Sequence, residues 1–139
     1  MEQPSQPGRA LTEARLSIEL LRANPDRIYV YGDNLQRRGL AGQAVVRCEN
    51  NAFGVPTKRA PSMAQSAFFS DQPDEISAVL QALRELYVLS KSKTVVFPVA
   101  GLGTGLAQMA TRSPKLYGQM TNILTTHFGF DQHTSLKKD

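Results

Sequence analysis

The chain has 139 residues, of which 41% are hydrophobic and 20% charged, the proportions of an ordinary globular protein with room for one domain. Its 16 Lys and Arg against 12 Asp and Glu give a formal net charge of +4, which we interpret as a solvated surface rather than a nucleic-acid-binding face. The apolar runs are too short to span a membrane, and no secretory leader opens the chain. We therefore expect a cytoplasmic protein without a membrane partner.

The single cysteine, Cys48, excludes an internal disulfide and suits a reducing compartment. We place it in the core, on the apolar face of a short helix, rather than at a nucleophilic site. His127 and His133 are too few and too distant from it to form a soft-metal site, whereas composition leaves an oxygen-ligand site open. We assign no metal-binding residues and predict no cofactor.

The first third of the chain contains one clear strand. Residues 1–9 are a polar arm rich in Gln and Pro, which we predict to be disordered. Residues 11–23 fit both an amphipathic helix and an alternating strand, and Asn24-Pro25-Asp26 ends whichever forms. Residues 27–31 are rich in β-branched and aromatic side chains and predict a buried strand. A short helix is expected to begin near Leu40.

The middle of the chain predicts two strands around a long helix. Residues 52–57 predict a strand, followed by a polar connection over residues 58–70. Residues 72–90 have apolar side chains at i, i+3 and i+4 and predict a helix, which Asp71 is expected to cap. Residues 94–100 predict the next strand.

A last helix is predicted to begin at Ser113-Pro114 and to end at Gly129, and residues 131–139 are expected to be a flexible tail. Apolar strands that alternate with helices indicate a layered α/β domain with a largely parallel sheet. We assign residues 10–130 to one such domain. Ligands bind at the carboxyl ends of the strands in folds of this kind.

Two glycine-rich loops follow predicted strands and should therefore meet at that edge. Residues 101–106 read Gly-Leu-Gly-Thr-Gly-Leu. Such a loop can bring successive backbone N–H groups close to a phosphate, with Thr104 adding a hydroxyl donor. A tight turn that needs positive φ explains any one of these glycines equally well, whereas three in alternation before Leu106 favour the phosphate-binding interpretation. The spacing matches neither a P-loop nor the Gly-x-Gly-x-x-Gly pattern of dinucleotide-binding proteins.

The other loop covers residues 32–42. Asp33 and Asn34 are placed either to contact ribose hydroxyls or to cap a turn. Arg37 and Arg38 either neutralise a phosphate or are simply solvated.

Lys58 directly follows the strand at residues 52–57. In that position a lysine can be a catalytic base, a Schiff-base former or a phosphate contact. An exposed lysine without a role is the alternative.

Three segments, in this order, resemble the macrodomain superfamily: Val30–Asn34 with Gly39–Ala44, then Phe53–Lys58, then Phe97–Leu106. The sequence looks closest to small bacterial and phage-associated macro-like proteins of unassigned function. The resemblance implies a three-layer α/β/α domain with a largely parallel, mixed sheet. It also implies that ADP-ribose, or a related nucleotide diphosphate, binds at the strand ends.

The resemblance further implies roles for single positions. Asn34 matches an asparagine beside the distal ribose, residues 39–44 match the loop next to that ribose and the diphosphate, and residues 101–106 match the loop that wraps the diphosphate. Lys58 matches a lysine that removes ADP-ribose from acidic side chains or DNA bases. The predicted ligand-binding residues are Gly32, Asp33, Asn34, Gly39, Leu40, Ala41, Gly42, Thr57, Gly101, Leu102, Gly103, Thr104, Gly105 and Leu106.

This sequence lacks two acidic residues of the family pattern. No acid follows the last glycine loop in Leu106–Ala110, and none near the N-terminus matches the residue that contacts adenine. Three functions therefore stay open. The first is an ADP-ribosyl hydrolase that uses Lys58. The second is a non-catalytic module that reads or sequesters an ADP-ribose-like molecule or an ADP-ribosylated macromolecule. The third is a protein-interaction domain with an unused cleft. Nucleic acid is expected only as a modified substrate.

Overall fold

Four strands form one parallel sheet, in the order β1-β4-β2-β3. The structure is a computed structural model, and it describes residues 10–132. The strands are β1 (Leu11–Glu13), β2 (Arg27–Asn34), β3 (Ala52–Lys58) and β4 (Thr94–Pro98). The α-helices are α1 (Ile18–Ala23), α2 (Pro73–Leu89), α3 (Met109–Arg112) and α4 (Pro114–Phe128). Short 3-10 helices cover Gly42–Val46, Gln65–Ala67 and Gly105–Ala107.

The sheet buries apolar side chains on both faces, as predicted. Alternate residues of β2 enter different clusters. Val30 packs with α2 and α4, whereas Tyr29 and Tyr31 pack with Leu21 of α1 and Val46 of the first 3-10 helix. Because successive side chains of a strand point to opposite faces, helices cover the sheet from two sides. The α/β fold class is confirmed, and this arrangement is compatible with a three-layer α/β/α fold.

Residues 11–23, which fit both a strand and a helix, contain one of each. Leu11–Glu13 pair with β4, and Ser17 Oγ then accepts from the Leu20 N–H at 3.1 Å as the N-cap of α1. Strand β2 is longer than predicted, because residues 32–34 continue pairing with β3. The helix expected near Leu40 is a 3-10 helix over residues 42–46.

The predicted cap of α2 is wrong. Gln72 is its N-cap, and Glu75 Oε1 accepts from the Gln72 N–H at 2.9 Å to complete a capping box. Asp71 instead caps α4, where its Oδ1 accepts from the Leu116 N–H and the Ser113 hydroxyl, each at 2.8 Å. A carboxylate at the end of one connection thus fixes the start of another helix, a contact between residues more than 40 positions apart.

Helix α4 begins at Pro114 and ends at Phe128, and Gly129, with φ +70°, caps it just past its end, as the sequence predicts. The expected tail from residue 131 is packed at its start, since Gln132 is fully buried. Residues 1–9, the predicted arm, and residues 133–139 lie outside the described part of the chain. Between residues 10 and 132, no helix has the length and hydropathy needed to cross a membrane.

Candidate functional site

The carboxyl ends of β2, β3 and β4 open into a cleft of about 700 Å³. Since the strands are parallel, the loops that follow them meet at this edge of the sheet. The cleft brings together Lys58 and every predicted ligand-binding residue except Leu102. These predicted lining residues are Gly32, Asp33, Asn34, Gly39, Leu40, Ala41, Gly42, Thr57, Gly101, Gly103, Thr104, Gly105 and Leu106.

The loop at residues 101–106 turns back on itself through glycines in left-handed conformations. Gly101, Gly103 and Gly105 have φ of +90°, +78° and +59°. The Leu102 side chain is fully buried in the core instead of lining the cleft. The Thr104 hydroxyl donates to the Ala100 carbonyl at 2.8 Å. Its proton is therefore used in a hydrogen bond within the protein, whereas its oxygen can still accept one from a ligand.

A buried amide outside the predicted site secures this loop. Gln132 Oε1 accepts from the Leu102 N–H at 2.9 Å, and Gln132 Nε2 donates to the Leu102 carbonyl at 3.1 Å. The side chain therefore pairs with both backbone polar groups of one loop residue, Leu102, much as a residue of a neighbouring strand would. No sequence signal marked this residue, because its partner lies 30 positions away.

The two glycine loops present backbone donors without protein partners. Among residues 10–132, the N–H groups of residues 39–43 and of residues 103–106 make no hydrogen bond to the protein. Both runs belong to residues that line the cleft. Unpaired N–H groups in succession form the kind of concave donor surface that binds anions.

Asn34 supplies a buried acceptor at the end of β2. Its Nδ2 donates to the Arg38 carbonyl at 2.9 Å, and this bond fixes the orientation of the amide and thus the position of Oδ1. That oxygen is buried without a hydrogen-bond partner, although the residue lines the cleft. Nearby, the Gly32 N–H donates to Gln43 Oε1 at 2.8 Å and ties β2 to the first 3-10 helix.

Asp33 is held by arginines rather than left free for a ligand. Arg47 Nη2 and Nη1 contact its two carboxylate oxygens at 2.6 and 3.0 Å, and Arg37 Nη1 donates to Oδ2 at 2.9 Å. The Asp33 side chain is only 1% exposed. Arg47 Nε also donates to the Gly39 carbonyl at 2.8 Å, so the carboxylate fixes the first glycine loop through Arg47.

Burial raises the pKa of the Asp33 carboxyl, but the hydrogen bonds from Arg47 and Arg37 outweigh it and bring this pKa below its ordinary value. Arg37, a candidate phosphate contact, is thus engaged with Asp33 and with the Gly54 carbonyl at 2.8 Å. Arg38 is exposed, and its Nε donates to Gln36 Oε1 at 2.6 Å.

Lys58 lies beside Asn34, its partner in the register of β2 and β3. Its Nζ donates to the Ser62 carbonyl and stands 4.7 Å from the centroid of the Phe68 ring. No carboxylate of residues 10–132 forms a salt bridge with it. Partial burial, together with the positive charge of Arg112, lowers the pKa of its amine.

Residues 60–63 form a further wall of the cleft that the sequence did not indicate, because they lie in what reads as a polar connection.

The prediction for Cys48 is wrong, since its side chain is exposed: the 3-10 helix ends at Val46, before an apolar face can include it. The described residues contain no cluster of three or more His, Cys, Asp or Glu that could hold a metal ion.

Comparisons with curated proteins and with solved structures gave no match. The model of a family described as a family of unknown function, DUF7831, matches residues 11–123. This range contains all four strands, both glycine loops and Lys58, and it ends within α4 before Gln132. Because the match covers most of the chain, the protein belongs to this family of unknown function.

Proposed function

We propose that the cleft binds a nucleotide diphosphate, either ADP-ribose or a close relative. The observation that carries this proposal is the pair of unpaired N–H runs, residues 39–43 and 103–106, within one cleft. A diphosphate has anionic oxygens along its length and can accept from two donor surfaces at once. The cleft volume of about 700 Å³ lies within the range of small-molecule sites.

The unpaired oxygen of Asn34 is an argument for a sugar next to that diphosphate. An unpaired buried acceptor costs about 1–3 kcal/mol, and a ligand hydroxyl that donates to Oδ1 would recover this energy on binding. Ribose hydroxyls are donors of this kind, whereas another phosphate has none to offer when fully ionised.

The mouth of the cleft supports an apolar or planar group. Leu40, Met63 and Leu106 line it and are 60%, 53% and 72% exposed. Large exposed apolar side chains grouped around a concave site typically bind a ligand or partner. A nucleobase fits this rim, because its faces are apolar and its edges can stay hydrated.

Calorimetric titration with ADP-ribose, ADP and ribose 5-phosphate tests this proposal. We expect ADP-ribose to bind and each fragment to bind more weakly, since each lacks one set of contacts. Asn34→Ala should weaken ADP-ribose binding at least about 5-fold, the equivalent of about 1 kcal/mol. Its effect on folding should be small, because it removes an unpaired acceptor along with the bond to Arg38.

Asn50→Ala is the matched control, since Asn50 is exposed outside the cleft. It should leave the affinity unchanged. If wild-type protein, folded by circular dichroism, binds none of the three compounds, then the cleft does not take a nucleotide diphosphate.

A second candidate function is hydrolysis of an ADP-ribosyl linkage, and Lys58 favours it. Its amine lines the cleft next to Asn34, and its lowered pKa increases the neutral fraction that can remove a proton from water. In this reaction the activated water attacks the anomeric carbon, and the bond to the leaving group breaks. The absence of a carboxylate paired with Lys58 in the described chain favours binding without turnover.

Incubating ADP-ribosylated protein and ADP-ribosylated DNA with the wild type and with Lys58→Ala separates these functions. Release of ADP-ribose that depends on Lys58 supports the hydrolase. Binding without release by either variant supports a reader or sequestering module. Lys91→Ala serves as the control, because Lys91 is an exposed lysine beyond α2 that also lies against an aromatic ring.

A further inference from the structure

A second cavity, of about 540 Å³, shares no lining residue with the cleft. Phe68 connects the two regions. Its ring contacts the Lys58 ammonium, which lines the cleft, and the Arg112 guanidinium, which lines the second cavity. The residues around this cavity are Arg59, Gln65, Ser66, Phe68, Phe69, Ser70 and Arg112.

Arg112 is held in place by neutral groups alone. Its Cζ stands 3.8 Å from the Phe68 ring centroid, its Nε donates to Gln108 Oε1 at 2.7 Å, and its Nη1 donates to Gln65 Oε1 at 3.2 Å. No acid of residues 10–132 forms a salt bridge with it. A guanidinium that is oriented but not neutralised retains its charge for a ligand.

Arg59 lines the same cavity but, unlike Arg112, forms salt bridges with acids. Its Nε donates to Glu75 Oε2 at 2.6 Å, and its two Nη atoms contact Asp74 at 3.0 and 2.8 Å. Asp74 and Glu75 are therefore both engaged by Arg59. Of the two arginines that line the cavity, only Arg112 forms no salt bridge with an acid of residues 10–132.

Lys58 and Arg112 repel each other across one aromatic ring. The ammonium is 4.7 Å from the ring centroid, and the guanidinium carbon is 3.8 Å from it. Neither cation forms a salt bridge with an acid in the described part of the chain. An anion bound beside Arg112 would reduce this repulsion, and Ser66 and Ser70, whose hydroxyl groups can donate, line the same cavity.

We propose that the second cavity is an anion-binding site for a phosphate group, with Arg112 as its principal ligand. Nε and Nη1 of Arg112 already donate to glutamines, but Nη2 has no acceptor among residues 10–132 and can donate to a phosphate, while the stacking on Phe68 holds the guanidinium plane. The phosphate can be free inorganic phosphate or a phosphate in the backbone of a nucleic acid. The site does not depend on nucleotide binding in the cleft.

NMR of the arginine Nε–Hε signals, during titration with inorganic phosphate, tests the site in the unmodified protein. Sodium chloride at the same ionic strength is the reference. We expect a saturable shift of the Arg112 signal that chloride does not produce. Arg84, which is exposed on α2 and contacts Gln81 Oε1 through Nη1 at 3.4 Å, is the internal comparison and should shift alike in both salts.

Arg112→Gln should weaken phosphate binding at least about tenfold, whereas Arg84→Gln should leave it unchanged. Arg112→Lys retains the charge but loses the planar donors, and it gives an intermediate affinity. A parallel titration with a single-stranded oligonucleotide distinguishes the sources. Binding that needs Arg112 identifies backbone phosphate, and binding of inorganic phosphate alone identifies the free ion.

The proposal is overturned if phosphate shifts the Arg112 signal no more than the Arg84 signal in the wild type. That measurement needs no variant, so a folding defect of Arg112→Gln cannot obscure it. This measurement is also separate from the ADP-ribose titration of the cleft. A negative result for one site therefore does not contradict the proposal for the other.

Discussion

Replacing Gly103 with alanine should destabilise the protein more than the same replacement at Gly105. Both glycines have positive φ, +78° at Gly103 and +59° at Gly105, so both replacements place a Cβ atom in a left-handed conformation. The surroundings differ. A Cβ at Gly103 would overlap Met109 Sδ and lie 3.2 Å from Met120 Cε, whereas a Cβ at Gly105 meets nothing within 4 Å.

The magnitudes follow from these two environments. The left-handed conformation costs an alanine about 1–2 kcal/mol, and this cost applies at both positions. Met109 and Met120 are fully buried, so neither can move aside without disturbing the core. Overpacking of that kind adds about 1–3 kcal/mol. We therefore expect a loss of about 1–2 kcal/mol for Gly105→Ala and about 2–5 kcal/mol for Gly103→Ala.

Urea denaturation at neutral pH, followed by circular dichroism, measures both losses. Titration of the two variants with ADP-ribose compares their affinities as well as their stabilities. A Cβ at Gly105 touches no protein atom, so any loss of affinity in Gly105→Ala would not come from a contact with the protein. Equal destabilisation by the two replacements would refute the reasoning, since it would show that Gly103 is required by its backbone conformation alone and not by the methionines beneath it.

Three further changes test the supports of the cleft. Asp33→Asn should cost about 3–5 kcal/mol at neutral pH, because it leaves Arg47 without its buried partner. Since the pKa of Asp33 is lowered in the fold, the wild type should lose this contribution as the pH falls below about 4, and urea denaturation across that range should show a flatter profile for the variant. Gln132→Ala leaves the N–H and carbonyl of Leu102 unpaired, so we expect about 2 kcal/mol or more of lost stability and weaker calorimetric binding of ADP-ribose. Asp71→Ala should lower thermal stability by about 1–2 kcal/mol through loss of the α4 cap, whereas Asp71→Asn, which keeps an acceptor, should lose less.

The predicted elements were accurate where one periodic pattern was unopposed. Helices α2 and α4 lie where their apolar stripes placed them, and α4 also begins where Ser113-Pro114 predicts. The errors among the predicted elements concern the residues at which a helix or strand begins or ends. Asp71 reads as a cap for the helix that follows it, and only the packing of α4 against the same connection shows which helix receives the carboxylate. Strand β2 continues to Asn34 because β3 offers partners there, which local propensity does not contain.

The candidate site was predictable in its backbone and not in its side chains. Glycines after apolar strands marked both loops, and parallel strands brought them to one edge. The states of Asp33 and Lys58 depended on distant residues. Asp33 is neutralised by Arg47, whereas Lys58 forms no salt bridge within residues 10–132 and lies close to Phe68 and Arg112.

The sequence by itself determined the layered α/β class, the position of the cleft and the two loops that line it, because these follow from local periodicity and from where glycine is tolerated. Only the tertiary structure decided which polar groups are free for a ligand. Within residues 10–132, ion pairs between segments engage the Asp33 carboxylate, whereas Asn34 Oδ1 has no hydrogen-bond partner and the Arg112 guanidinium has no salt bridge. Charge and hydrogen-bonding capacity belong to a residue, but their availability depends on the neighbours that the fold supplies.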